Sequence, residues 1–123
     1  MNFEDAIRSH VEWKNTLHTA IVQQTRLDAA TIARDDCCTL GKWLHGAAKS
    51  KYGHLVSYKE CVGAHANFHR EAGRVAQIIN GRRFAAAELA LSGRPYSSAS
   101  ERTVTAIVRL KSEAAGLLSV MMA

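Results

Sequence analysis

Between His54 and Asn80 the residues Tyr58, Val62, His65, His69, Ala72, Ala76 and Ile79 recur at alternating steps of four and three. That period puts all seven on one stripe of a single long helix, and Asn80-Gly81 supplies its stop. No other feature constrains the fold as much, because the stripe has to be buried against other helices. The rest of the chain offers them. From Phe3 to about Arg26, Ala6, His10, Trp13, Leu17, Ala20 and Ile21 follow the same helical spacing. Leu27 to Thr39 reads as a connection, and Leu40 to about Ser50, with Trp43, Leu44 and Ala47, as a short helix. Gly53 interrupts the chain before the long segment. Phe84 to Leu91 is helical, and Ser92-Gly93-Arg94-Pro95 breaks it. A last helix is capped by Ser97, Ser98 or Ser100 and buries Val104, Ile107, Val108, Ala114, Leu117 and Leu118. The expected fold is all-α, a four-helix bundle with a short extra helix carrying a Cys motif, and residues 1–123 are expected to form a single domain.

Composition narrows the function classes. In 123 residues, 47% are hydrophobic and 22% charged, which is a globular balance and not a disordered one. The net charge is +5, but the basic residues are spread through every segment and Arg82-Arg83 is the only adjacent pair. Without a basic stripe or interleaved aromatics, no nucleic-acid partner is expected. No run of 18 apolar residues exists, so no membrane insertion is expected. Met1-Asn2-Phe3-Glu4-Asp5 lacks the basic start and apolar centre of a signal peptide, which makes the cytoplasm the expected location. Three cysteines, two of them adjacent, do not form a disulfide framework and suit metal or redox chemistry better.

The chemistry-bearing residues lie on the apolar stripes. His65 and His69 stand one turn apart where Leu or Val would be expected, and two His at that spacing can reach one zinc ion. Burying two imidazoles requires partners for their nitrogens, and a metal supplies one for each. His10 has the same character on the first helix, where a hydrogen-bonded core histidine is the alternative. Cys38 opens the segment Cys38-Thr39-Leu40-Gly41-Lys42-Trp43. A thiolate there is favoured by a helix N-terminus, while a small buried apolar Cys is the alternative. One Cys and three His would close a tetrahedral Zn²⁺ set and leave no open position for hydrolysis.

These residues carry a resemblance. The helix-borne His10 with Trp13 three residues on, the Cys-x-Leu-Gly-x-Trp segment, the His65-x-x-x-His69 pair and Ser92-Gly93-Arg94-Pro95-Tyr96 resemble the chemoreceptor zinc-binding (CZB) domain from His10 to about Leu118. The resemblance implies zinc ligands at His10, Cys38, His65 and His69, in a four-helix bundle. It also implies a bacterial regulatory role in chemotaxis and signal transduction beside a chemoreceptor or diguanylate cyclase output. A homodimer is implied as well, and so is sensing of zinc and of oxidants such as hypochlorous acid at the zinc-bound Cys. Unlike the usual family setting, the chain has no receptor coiled coil and no cyclase domain, so it acts on a separate partner or is a fragment of a longer protein. Cys37 is not part of the family pattern and reads as a bystander, and Cys61 as a core residue. His18, His45 and His54 read as surface residues, and Trp13 and Trp43 as packing around the metal site. Two other classes compete: a helical interaction module in which zinc is only structural, and an iron-binding metalloenzyme. The second would require inward carboxylates, and Glu12, Glu60 and Glu71 lie off the His stripes.

Overall fold

The computed structural model describes residues 1–122, with side chains as far as Leu117. The described residues form helices α1 (Phe3–Gln23), α2 (Ala29–Ile32), α3 (Thr39–His45), α4 (Ala47–Tyr52), α5 (Val56–Asn80), α6 (Phe84–Ser92) and α7 (Arg94–Met122), with no strand among them. The fold is all-α. Helices α1, α5, α6 and α7 each contact the other three and make a four-helix bundle, with α5 against α7 as its most extensive pairing. Helices α2, α3 and α4 form the connection from α1 to α5 and pack on α5.

Local chemistry places these ends. Asn2 caps α1 by accepting the Asp5 N–H at 3.0 Å, and Glu4 and Asp5 put negative charge in its first turn. Its far end closes through Gln24 in the left-handed region (φ 56°). Asp28 caps α2 in the same way as Asn2, through Thr31. At the end of α5 the Asn80 side chain accepts the Leu27 N–H and donates to the Leu27 carbonyl, each at 2.8 Å. Asn80 therefore does more than stop a helix, since it clamps the chain leaving α1 to the end of α5.

The buried apolar residues separate into two clusters. One contains Leu17, Ile21, Phe68, Ala72, Val75, Ile79, Leu91 and Tyr96. The other contains Leu40, Leu44, Ala48, Tyr58, Cys61, Ile107 and Leu110. His10 lies between Ala6 and Leu17 on α1, and His65 between Cys61 and Phe68 on α5, so a buried polar layer sits where the two clusters meet.

Five details differ from the sequence expectations. The Leu27–Thr39 connection contains the short helix α2, held by the Asp28 cap. The segment around Trp43 is two helices, because the chain turns at Gly46 (φ −111°, ψ −111°). The long helix starts at Val56, two residues after His54. Pro95 lies in the first turn of α7 and not in a break before it, a position where its missing N–H costs nothing. The buried face of α7 is also rotated from the expected one. Thr103, Ala106, Ile107, Leu110 and Ala114 are buried, whereas Val108 is half exposed. Thr103 satisfies its hydroxyl on the Ala99 and Ala64 carbonyls, which makes a polar residue acceptable there. The side chain of Leu118 lies outside the described residues.

Gly73 permits the close seat of α2 on α5: a Cβ there would lie 2.6 Å from the Ala33 Cβ and 2.9 Å from its Cα. Gly63, on the same helix, has nothing within 4 Å of such a Cβ. Gly73→Ala is therefore expected to destabilise the protein by roughly 1–3 kcal/mol through overpacking. Gly63→Ala is expected to be neutral or to stabilise by up to about 1 kcal/mol. Urea midpoints of the two variants measure the contrast, and equal midpoints would remove the close-approach argument.

Candidate metal centre

His10, Cys38, His65 and His69 each offer one donor atom, and these four atoms lie within 4.8 Å of one another. They come from three elements that are distant in the chain. His10 is on α1, His65 and His69 are one turn apart on α5, and Cys38 is the N-cap residue of α3. The Cys38 Sγ lies 3.2 Å from His65 Nε2, 3.6 Å from His69 Nε2 and 3.9 Å from His10 Nε2. The two α5 Nε2 atoms are 3.0 Å apart. The rings meet edge to face, with centroids 4.5 Å apart for His65 and His69 and 5.0 Å apart for His10 and His65. All three imidazoles are buried, and Cys38 is half buried.

The donor set fits a tetrahedral cation. Zinc bond lengths of about 2.0–2.1 Å to nitrogen and about 2.3 Å to sulfur imply N···N separations of about 3.3 Å and N···S separations of about 3.6 Å. The three sulfur–nitrogen distances, from 3.2 to 3.9 Å, bracket their value, the His65–His69 separation of 3.0 Å is close to its own, and all four donor atoms stay within 4.8 Å of one another. Proton positions point the same way. His10 Nδ1–H donates to the Ala6 carbonyl at 2.6 Å and His69 Nδ1–H to the Ile32 carbonyl at 2.8 Å. Each Nε2 of a neutral ring held in this way is a bare lone pair aimed at the sulfur. Lone pairs converging on a sulfur in a buried space are mutually unfavourable, and a cation removes the conflict. His65 is less well supported, because its Nδ1 is buried without a partner.

Burial dominates the electrostatics. It holds His10 and His69 below the usual imidazole range, and in His69 the Ile32 carbonyl opposes the shift. For His65, burial together with the neighbouring histidines lowers the value to about 2. The helix N-terminus does act on Cys38, whose sulfur accepts the Gly41 N–H at 3.3 Å. Contrary to the expectation from position alone, burial outweighs that pull and pushes the thiol up. Gly41 has a second role. A Cβ there would overlap the Asp35 carbonyl oxygen, so the loop entering α3 can lie against the helix only because position 41 has no side chain. Asp35 is also paired with His45 at 3.0 Å, which ties that loop to the end of α3.

The other sequence candidates stay outside this cluster. His18, His45 and His54 are exposed. Cys61 is fully buried in a core cluster, and burial pushes its thiol up to about 12. Cys37 is half buried, 3.6 Å from the Asp36 carboxylate. Trp13 and Trp43 are half buried against the two core clusters, and Trp43 lies on Phe3 with centroids 5.5 Å apart. The ring that walls the donor set is Phe68, with its centroid 5.4 Å from both His10 and His69. Sequence reasoning missed it because Phe68 is one residue from His69 and off the stripe. It also missed the Ala6 and Ile32 carbonyls, although His10 lies four residues after Ala6, within helical reach.

A family model described as the chemoreceptor zinc-binding domain (CZB) matches residues 10–76, a span that contains all four donors. No curated protein and no solved structure matches the chain.

The buried imidazoles make the metal-stripped protein acid-sensitive. Their folded pKa values lie below the unfolded value of about 6.5, so the unfolded chain binds more protons as the pH falls through that range. Stability is complete above about pH 6.5. Below it, the loss should steepen toward about 1.4 kcal/mol per pH unit for each imidazole. Urea unfolding of chelator-treated protein from pH 8 to pH 5 tests this, with His65→Leu/His69→Leu expected to give a flatter curve. A wild-type curve as flat as that of the variant would contradict the assignment.

Proposed function

The match covers more than half of the chain, which therefore belongs to the chemoreceptor zinc-binding domain family and is a zinc-binding sensory domain; we propose that His10, Cys38, His65 and His69 hold the zinc ion and that Cys38 is its switch. The observation that carries this reading is the convergence of four donor atoms from three separate elements. Zinc bound there supplies a fixed double positive charge that stabilises the Cys38 thiolate. The chain's own residues divide the remaining work. Ala6 and Ile32 orient two imidazoles, Phe68 excludes water, and α1 and α5 present a rigid half-site. Cys38 differs from the histidines because it sits on a connection and caps a seven-residue helix.

That difference makes Cys38 the mobile donor. With hypochlorous acid, the thiolate sulfur gives two electrons, chloride leaves, and the sulfur keeps the OH as a sulfenic acid. A sulfenic acid is a poorer donor and a poorer cap, so α3 loosens from α5 and the surface offered to a signalling partner of chemoreceptor or diguanylate cyclase type changes. In this reading residues 1–123 act as one cytoplasmic domain in a homodimer, and the domain regulates without catalysing. Support for the last point comes from the donor set, since four protein ligands leave no position for a substrate. A purely structural zinc is the second reading, favoured by the place of the donors between the two apolar clusters.

Native mass spectrometry is expected to find one zinc per chain, lost in His65→Ala/His69→Ala. Binding that survives the double substitution would refute the ligand set. Stoichiometric hypochlorous acid should release zinc from the wild type, read with a chromogenic chelator. Cys61→Ser should respond like the wild type, whereas Cys38→Ser should bind zinc more weakly and lose the oxidant response. If Cys38→Ser released zinc to the same extent on oxidation, the switch would lie elsewhere.

A further inference from the structure

Burial divides the three thiols of the chain. Cys61 is fully buried among Leu40, Leu44, Tyr58, Ile107 and Leu110, where no dissolved reagent reaches it. Cys37 and Cys38 are adjacent and half buried, in the connection that enters α3. Only Cys38 belongs to the donor set. The Cys37 sulfur lies 3.6 Å from the Asp36 carboxylate, which the Arg34 guanidinium holds at 3.0 Å on each oxygen. Cys37 is thus a bystander to zinc ligation, yet it is the only other thiol that meets solvent. It stands beside the very sulfur that an oxidant would attack. The local backbone leaves this pair free to rearrange. Cys38 is extended (φ −82°, ψ 164°), and α3 begins one residue later. Among the described residues, neither group of the peptide that joins the pair, the Cys37 carbonyl or the Cys38 N–H, bonds to another backbone group. What seats the Cys38 side chain is its sulfur, through the Gly41 N–H and the three Nε2 atoms around it.

We propose that Cys37 is the resolving thiol of the switch, converting oxidised Cys38 into a Cys37–Cys38 disulfide that holds the sulfur away from zinc until it is reduced. This inference rests on the reading of Cys38 as the oxidised zinc ligand. Hypochlorous acid first takes two electrons from the Cys38 thiolate, which leaves chloride and a sulfenic acid. The Cys37 sulfur then attacks the Cys38 sulfur. The S–S bond forms as the S–O bond breaks, and the departing hydroxide takes up the Cys37 thiol proton as water. In sum, a thiolate, a thiol and hypochlorous acid give a disulfide, chloride and water. A dithiol reductant returns two electrons and two protons. Without a resolving thiol, the sulfenic acid is open to further oxidation to a sulfinic acid, from which a reductant does not recover it. Adjacency suits this transient role better than a structural one. The Cα atoms of neighbouring residues lie about 3.8 Å apart, short of the roughly 4.4–6.8 Å usual for a disulfide. The ring therefore closes under strain, and strained disulfides are the readily reduced, regulatory kind. Because the peptide between the two cysteines is not part of a helix or a backbone ladder, the distortion stays local.

The test treats the zinc-loaded full chain with stoichiometric hypochlorous acid, alkylates the remaining thiols and digests with trypsin without reduction. The tryptic peptide Asp35–Lys42 carries both cysteines and no Met, Trp or Tyr, so its mass reports their oxidation alone. In the wild type it should fall by about two mass units, the two hydrogens lost to a disulfide. Dithiothreitol and fresh zinc should then restore metal binding. In Cys37→Ser, zinc should leave as in the wild type, but the peptide should gain two or three oxygens, and the fraction restored by dithiothreitol should be roughly tenfold lower. A wild-type peptide that gains oxygens instead of losing hydrogens would overturn the proposal. So would a Cys37→Ser chain that recovers like the wild type, or a disulfide-linked dimer in place of the internal bond. All three results leave the Cys38 switch standing. Zinc retained by the oxidised wild type would overturn that switch, and this inference with it.

Discussion

Three neutral imidazoles and one sulfur face one another in the interior of this bundle, and much of the architecture follows from making that acceptable. Two apolar clusters could have merged into one core along α5, but a polar layer stands between them. Each imidazole placed there loses hydration, and an unpaired buried nitrogen costs on the order of 1–3 kcal/mol. Two of the three rings recover a partner from a nearby carbonyl, Ala6 for His10 and Ile32 for His69. The three Nε2 atoms converge on Cys38, and His65 Nδ1 is left without a partner. A layer that is only half satisfied by the protein is a poor way to build a core and a good way to bind a cation.

The short helices exist to deliver the fourth donor. The Ile32 carbonyl reaches His69 because α2 lies against α5, and α2 can lie there because Gly73 presents no side chain to Ala33. From α2 the chain passes Asp35, whose carbonyl rests against Gly41, and arrives at Cys38 in an extended conformation suited to capping α3. Asp28, Asn80, Asp35 and His45 hold this path at its corners through side-chain hydrogen bonds and one ion pair. Two close glycine approaches and a few polar clamps thus set the position of one sulfur atom.

This division explains what could be read from the sequence. The α1 and α5 stripes were legible because a long helix repeats its signal over many turns, and His10, His65 and His69 were conspicuous as polar residues at apolar positions. Local sequence left a small buried apolar Cys as an equal reading of Cys38, and only the resemblance of the Cys38–Trp43 segment to the family singled it out. Residues 27 to 52 were read poorly: α2 is a four-residue helix with no periodicity to detect, and Gly46 divides what looked like one helix. Pro95 misled for a general reason, since a proline forbidden inside a helix is welcome in its first turn, and the sequence alone does not say which applies. The α7 stripe was drawn through apolar residues alone and so passed over Thr103, which is buried because its hydroxyl bonds to its own helix.

The same division bears on how such a site can signal. A ligand set drawn entirely from α1 and α5 would be held by the bundle itself, and emptying it would alter stability with little change of shape. Here the fourth donor sits on α3, which the bundle also holds through the buried Leu40 and Leu44, the Tyr58 hydroxyl on the Leu44 carbonyl and the Asp35–His45 pair, while the sulfur itself is touched by the Gly41 N–H, a hydrogen bond worth about 1 kcal/mol. Metal binding at a structural site of this type is worth roughly ten times that. In the proposed reading only Cys38 links α3 to the cation, so chemistry that lowers the affinity of Cys38 acts on α3 before it acts on the long helices.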